Sequence, residues 1–231
     1  DIYSDPGNFG TRENEYNRDV LAMEKDQLFL IGEGHSREGQ FPFIDEFNLK
    51  TLQTKRIYKS SYINKKEDIL SIEDYKNGTA LVMIQSKNEY PNYFFRSYRK
   101  KESPQQITFH KNPFESISRV DKQVIHYKRN DGVDLTGTLY LPLGYDKNKK
   151  EKLPLLIWAY PEEFKDKNSA GQSSKNPNEF TFPNYGSFVF WVTKGYAVLD
   201  DASFPIIGEG NKEPNDNFIE QLVANGRAAI D

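Results

Sequence analysis

Four short β-patterned segments, followed about 50 residues later by four more in the same order, constrain this chain more than any other feature. They are Val20–Glu24, Gln27–Gly32, Phe41–Leu49 and Lys55–Ser60, then Ile69–Tyr75, Ala80–Ser86, Tyr93–Arg99 and Gln106–His110. Turn chemistry separates them at Lys25-Asp26, Asn77-Gly78 and Lys101-Glu102-Ser103-Pro104. Leu30 matches Leu81, Phe43 matches Phe94, Phe47 matches Tyr98 and Tyr58 matches Phe109, each pair 51 residues apart. A four-strand unit at that period predicts propeller blades. A closed ring takes about 4–8 blades, so two of them place the others outside this chain. An ordinary antiparallel sandwich with coincident spacings is the competing reading.

Composition narrows the class. A length of 231 residues allows one large domain or two modest ones, and 14% aromatic residues supply real cores rather than disorder. A formal charge of -3 gives no basic footprint for nucleic acid. No apolar run reaches the length of a membrane span. There is no cysteine, so disulfides and thiolate chemistry are excluded. His35, His110 and His126 are far apart and lack metal-ligand spacing, and no cofactor is implied. The opening DIYSDPGNFGTRENEY has neither an initiating Met nor a charged-then-apolar leader pattern.

Around Asn112–Asp121 the style changes. Val124–Asn130 and Val133–Leu141 flank Asn130-Asp131-Gly132, a hairpin signal. After a lysine-rich loop at Leu143–Lys152, the apolar run Leu155–Ala159 ends at Tyr160-Pro161 and reads as a buried strand. A helix is expected over Tyr185–Lys194, closed by Gly195, then a strand at Tyr196–Asp200. A last helix is expected over Asn217–Ile230, with Asn217 and Glu220 as a capping box. Hairpin, strand, helix, strand, helix predicts a parallel sheet with crossovers. Such a sheet follows each helix with a strand within about 2–6 residues, so an ending on a helix at Asp231 reads as a cut through a domain.

VIHYKRNDGVDLTGTLYLP, LPLLIWAYP, FWVTKGYAVLD and SFPIIGEGNKEPNDNFIEQL together resemble the prolyl oligopeptidase family of serine peptidases, in particular its bacterial glutamyl endopeptidase branch. SDPGN at Ser4–Asn8 and EGQFPFIDEFNLKTL at Glu38–Leu52 look like late propeller blades of that branch. The resemblance covers nearly the whole chain. It implies a mixed fold: about two blades of an incomplete β-propeller over residues 1–116, then the N-terminal part of an α/β-hydrolase domain over 117–231. It also implies a peptide substrate, cleavage after glutamate by a Ser-His-Asp acyl-enzyme mechanism, and export to a periplasm. The family's serine sits in a Gly-x-Ser-x-Gly elbow after the last helix, with Asp and His later. The triad is therefore expected in the remainder of the parent chain, and this chain alone is expected to be inactive. A peptide-binding scaffold module, or an ester or acyl-peptide hydrolase of the same fold, are the alternatives.

By the same resemblance, Tyr160 is the candidate catalytic residue, donating to the oxyanion. Pro161-Glu162 follows it where many relatives have Gly-Gly or Ala-Gly, and the proline biases Tyr160 toward extended geometry. The other chemistry-bearing residues read as structural. Gly34-His35-Ser36 is spaced wrongly for an elbow and reads as a turn. His126 lies in a hairpin strand. Asp200-Asp201 ends a strand and caps or orders a loop. Glu162-Glu163 and Lys147–Lys152 read as solvated charges.

Overall fold

The computed structural model describes residues 1–117, 119–149 and 151–231. Ser118, at the predicted change of style, and Lys150, in the predicted lysine-rich loop, lie outside the described residues. The chain forms two compact units. One holds Ile2–Lys111 with Asn178–Phe180, the other Asn112–Pro177 with Thr181–Asp231 and Asp1.

Apart from a 3-10 turn at Ile2–Ser4, the regular structure of the first unit is all β. Its strands are β1 (Asn8–Phe9), β2 (Thr11–Glu13), β3 (Asp19–Leu21), β4 (Met23–Glu24), β5 (Gln27–Gly32), β6 (His35–Ser36), β7 (Gly39–Gln40), β8 (Phe43–Asn48), β9 (Gln53–Lys59), β10 (Lys66–Asp74), β11 (Thr79–Gln85), β12 (Asn92–Ser97) and β13 (Gln105–Gln106). One antiparallel sheet runs β1-β5-β8-β9, with β4 also on β5, and the second runs β10-β11-β12-β13. The predicted first strand, Val20–Glu24, is two pieces. Met23 and Glu24 pair with Leu28 and Gln27, whereas Asp19–Leu21 turns outward to pair with Thr11–Glu13. Asn8 and Phe9 take the remaining positions along β5, opposite Ile31 and Leu30. The innermost strand is thus interrupted by a hairpin. Gly10 and Ala22 stitch its base, through Gly10 N to Phe29 O at 2.8 Å and Ala22 N to Gly10 O at 2.9 Å.

Phe29 and Ile44 from the first sheet and Ile72, Ala80, Val82, Ile84 and Tyr98 from the second form one core. Two stacked copies of a motif meet front to back, so equivalent residues must point the same way. Phe43, on the far face of the first sheet opposite Gly32, matches Phe94, which packs against the shared core. Leu30 also points to the far face, but Leu81 pairs with Phe95 on the face away from the core. Its equivalent is Val82, one residue beyond the 51-residue spacing, because a strand alternates faces at every residue. Gly32 is required where it stands: a Cβ there would lie 2.2 Å from the Phe43 ring. The predicted strand Gln106–His110 shrinks to Gln105–Gln106, and Phe109 is exposed. Beyond one further backbone bond, Ile107 N to Tyr93 O at 2.9 Å, side chains take over from the ladder: Asn92 Oδ1 accepts from His110 N at 2.7 Å, and Thr108 Oγ1 accepts from Tyr93 N at 2.8 Å.

A buried ion pair within the second sheet is linked to the first sheet by a tyrosine. Glu67 on β10 accepts from Arg96 Nε and, at 2.7 Å, from the Tyr58 hydroxyl of β9. Its side chain has no solvent exposure. Burial, with the Glu67 charge beside it, pushes the Tyr58 phenol well above its ordinary value. Removing one partner leaves the other charge uncompensated at a cost of about 3–5 kcal/mol. Glu67→Gln should lower stability by about that amount in chemical denaturation, and Lys65→Gln at an exposed pair should change it by less than about 1 kcal/mol.

The second unit has β14 (Asp121–Lys128), β15 (Asp134–Leu141), β16 (Leu155–Phe164), a helical turn α1 (Lys167–Ala170), β17 (Ala197–Ile207) and helix α2 (Phe218–Ile230). The sheet order is β14-β15-β17-β16. Only β16 and β17 are parallel; β15 is antiparallel to both neighbours, so the sheet is mixed rather than parallel. The predicted helix over Tyr185–Lys194 is a 3-10 helix confined to Phe188–Lys194. Its three-residue turn stacks the buried Val189 above the buried Val192, matching the core it covers. Gly195 closes it at φ 84, as the sequence predicts. The capping box lies earlier than expected: Glu213 and Asp216 form it around Pro214, and the Asn217 side chain makes no cap bond. Proline fixes the first helical φ, so the cap falls immediately before it.

Candidate active site

The strand carrying Tyr160 does not stop there. β16 continues through Pro161 to Phe164, placing Tyr160 in mid-strand opposite Ser203 of β17. Pro161 is tolerated because, among the described residues, β16 pairs with β17 alone, and an edge strand has a row of N–H groups with no ladder partner. Tyr160 is 77% exposed. Its hydroxyl makes no hydrogen bond among the described residues.

A β-bulge sets the alignment of Tyr160 with Ser203. Ile157 pairs with Leu199 and Ala159 with Ala202, so Trp158 faces both Asp200 and Asp201. Asp201 takes the extra residue in a left-handed conformation, φ 49, which aspartate tolerates better than most side chains. Asp200-Asp201 therefore lies inside a strand, not at its end. Beyond the bulge the faces of β17 are reset. Ser203 then joins a row of hydroxyls: Ser203 Oγ lies 3.1 Å from Thr136 Oγ1, which donates to Ser173 Oγ at 3.2 Å. Lys175 donates its backbone N–H to Ser173 Oγ and its ammonium to Asp201.

The ends of β17 and α2 are fastened together. Gln221 copies a strand edge, its amide oxygen accepting from Ile207 N and its amide nitrogen donating to Ile207 O, both at 2.9 Å. Arg129, 3% exposed, donates to Asp131, to Pro205 O and to Asn225 Oδ1. The Arg129 guanidinium holds Asp131 below the usual carboxylate range. None of these polar groups stands out in the sequence; the only sign is Gln221 and Asn225, four apart on an otherwise apolar helical face.

The residues read as structural fall where they have no convergent chemistry. Gly34-His35-Ser36 is not the turn the sequence suggests: His35 and Ser36 form the short strand β6, paired with β7 across a turn at Arg37-Glu38, with Ser36 Oγ donating to Gly39 O at 2.9 Å and His35 beside Glu33. His126 is exposed on β14, opposite Thr136. Glu162 and Glu163 are exposed on β16. Lys147 pairs with Asp121 at 2.5 Å. Among the described residues no three His, Cys, Asp or Glu side chains converge on a metal position, and no helix is long and apolar enough to cross a membrane.

Comparison with known proteins places the fold. The chain is 37% identical, over an alignment of 245 positions that takes in all of its own residues, to a protein of Arabidopsis thaliana named probable glutamyl endopeptidase, chloroplastic. It is 37% identical over 244 residues to a protein of the same name from Oryza sativa subsp. japonica. Among solved structures it superposes on a post-proline cleaving enzyme from Rickettsia typhi with a TM-score of 0.51, at 19% identity, covering 90% of this chain and 28% of that one. It superposes on oligopeptidase B from Trypanosoma brucei with a TM-score of 0.53, at 11% identity, covering 93% of this chain and 31% of that one. The chain is thus similar in sequence to named glutamyl endopeptidases and in fold to a post-proline cleaving enzyme and an oligopeptidase B. It spans 25% and 26% of the two curated relatives, and no family profile matches it. At these identities the structural likenesses speak for the fold alone.

Asp200 supplies a test of the bulge. Burial, reinforced by the Asp201 charge, raises its carboxyl above the ordinary value. A raised folded-state value means the folded protein holds the proton more tightly than the unfolded chain, so ionised Asp200 costs stability above that value, and the cost disappears as pH falls below the ordinary carboxylate range. Asp200→Asn should therefore raise the melting temperature at neutral pH, with a gain that shrinks toward acid pH, as followed by thermal unfolding across a pH series.

Proposed function

We propose that this chain is part of a serine peptidase that hydrolyses peptide bonds after glutamate. The observation that carries this reading is the 37% identity, along the whole of this chain and about a quarter of theirs, to two proteins named as probable glutamyl endopeptidases. The reaction would be acyl transfer from the peptide amine to a serine, then to water. No Gly-x-Ser-x-Gly occurs in the chain, so the serine, aspartate and histidine of the triad are assigned to other parts of the protein. The first unit supplies propeller blades and the second the beginning of an α/β-hydrolase sheet.

Tyr160 is the oxyanion donor in this scheme. Its phenol is exposed and has no hydrogen-bond partner among the described residues, so its proton can stabilise charge developing on the substrate carbonyl oxygen. Its backbone is fixed by the bulge and by pairing along β17, which limits the reorganisation needed at the moment of reaction. The Gln221 and Arg129 bonds anchor α2 against β17, and in this reading α2 leads toward the strand carrying the nucleophile.

Loss of one such donor slows turnover by about 10²–10³. In the full-length protein, Tyr160→Phe should lower kcat on a peptide with a single glutamyl bond by that factor, with KM little changed. Unchanged turnover would remove Tyr160 from the mechanism. Hydrolysis of simple esters but not of peptides would replace the peptidase reading with an esterase one.

A further inference from the structure

We propose that the first unit carries a binding groove for an acidic peptide along its outer rim. The cavity is about 820 Å³ and lies between the end of β9 and the segment that follows β12. Lys59, Arg96, Arg99, Lys100 and Lys101 line it, against a single carboxylate, Glu102. Glu67 and Glu46, outside the lining, pair with Arg96 and Arg99, so the positive excess of the groove rests on its lysines, which attract anions.

The donors in the groove are only partly used. Arg96 gives Nε to Glu67 and an Nη2 proton to the Tyr62 hydroxyl at 3.1 Å. Its Nη1 amine has no protein acceptor among the described residues. The only sealed side-chain polar atom without a partner among them is Tyr127 Oη, so Arg96 Nη1 keeps contact with solvent. Tyr62 accepts from Arg96, which leaves its own proton to donate outward. Arg99 is engaged with Glu46 at 2.8 Å, and Lys100 is 4.0 Å from Glu102 with both side chains exposed. Lys59 and Lys101 have no carboxylate partner among the described residues; the Lys59 ammonium sits 5.2 Å from the Phe41 ring centroid.

The arrangement fits a peptide better than a compact anion. Lys59 comes from the first sheet, and Lys100 and Lys101 from the chain leaving the second, so the cations stand on both walls instead of converging on one point. Tyr58, Tyr62 and Tyr98 also line the groove, giving aromatic surface for the aliphatic stems of extended side chains. An extended chain with carboxylates to both sides meets lysines on each wall and the Arg96 and Tyr62 donors between them.

The test is fluorescence anisotropy of the full-length protein with labelled hexa-D-glutamate, which resists cleavage, and with hexa-D-glutamine. The acidic peptide should bind, more weakly as salt rises, and the neutral one should not. The double variant Lys59→Glu/Lys101→Glu changes two side chains with no carboxylate partner, so its melting temperature should match the parent while its affinity for hexa-D-glutamate falls at least about tenfold. Equal affinity for the two peptides, or undiminished binding by the double variant, would overturn the assignment. So would inorganic phosphate or an oligothymidylate binding as tightly as the acidic peptide.

Discussion

Every backbone N–H and C=O removed from water has to find a partner, and much of the architecture follows from how this chain meets that demand where a strand runs out. Gln221 serves as a surrogate strand for Ile207. Asn92 and Thr108 hold the segment after β13 with side-chain amide and hydroxyl groups. The inner edge of β5 is covered by two short pieces, β1 and β4, joined through Gly10 and Ala22. The outer edge of β16 is the contrast. It is ten residues long and carries Leu155, Ile157, Trp158 and Ala159, with Leu155 42% and Trp158 48% exposed. Natural edges are normally short, charged or covered, and among the described residues no strand pairs with this one.

Charges buried in the two units solve a related problem. Glu67 and Arg96 lie between stacked sheets, and Arg129 with Asp131 lies against the end of β17 and helix α2. Each guanidinium distributes several N–H bonds over elements far apart in sequence, which an apolar side chain of similar size cannot do. In the first unit the same arginine that pairs with Glu67 presents its remaining donors to the rim, so packing and surface chemistry share one residue.

Tyr160 depends on the bulge at Trp158, Asp200 and Asp201. A strand alternates faces strictly, so one extra residue in β17 decides whether Ser203 or a neighbour stands beside Tyr160. Asp201 absorbs the left-handed conformation, and Lys175 offsets its charge. The placement of the candidate donor is thus controlled by residues that make no direct contribution to chemistry.

Much of this was legible in the sequence, because hydrophobic alternation and turn residues act locally. The four-strand repeat, the hairpin at Asn130-Asp131-Gly132, the left-handed Gly195 and the existence of helix α2 all follow from period and punctuation; which face α2 buries does not, since Ile219, Val223 and Ile230 are exposed and Asn225 is buried. The spacing also identified Phe43 with Phe94 and Phe47 with Tyr98, but it missed the one-residue offset between Leu30 and Val82, since bulges and loop lengths carry no periodic signal. The sequence by itself determined which segments are strands and which helices, through the faces they must bury. Only the tertiary structure decided that β17 lies between β15 and β16, that β16 and β17 run on past Tyr160 and Asp200, and that Ser203, Thr136 and Ser173 meet. Those outcomes turn on pairings between residues distant in the chain, where the energy of a ladder bond or a buried ion pair depends on a partner that no local pattern names.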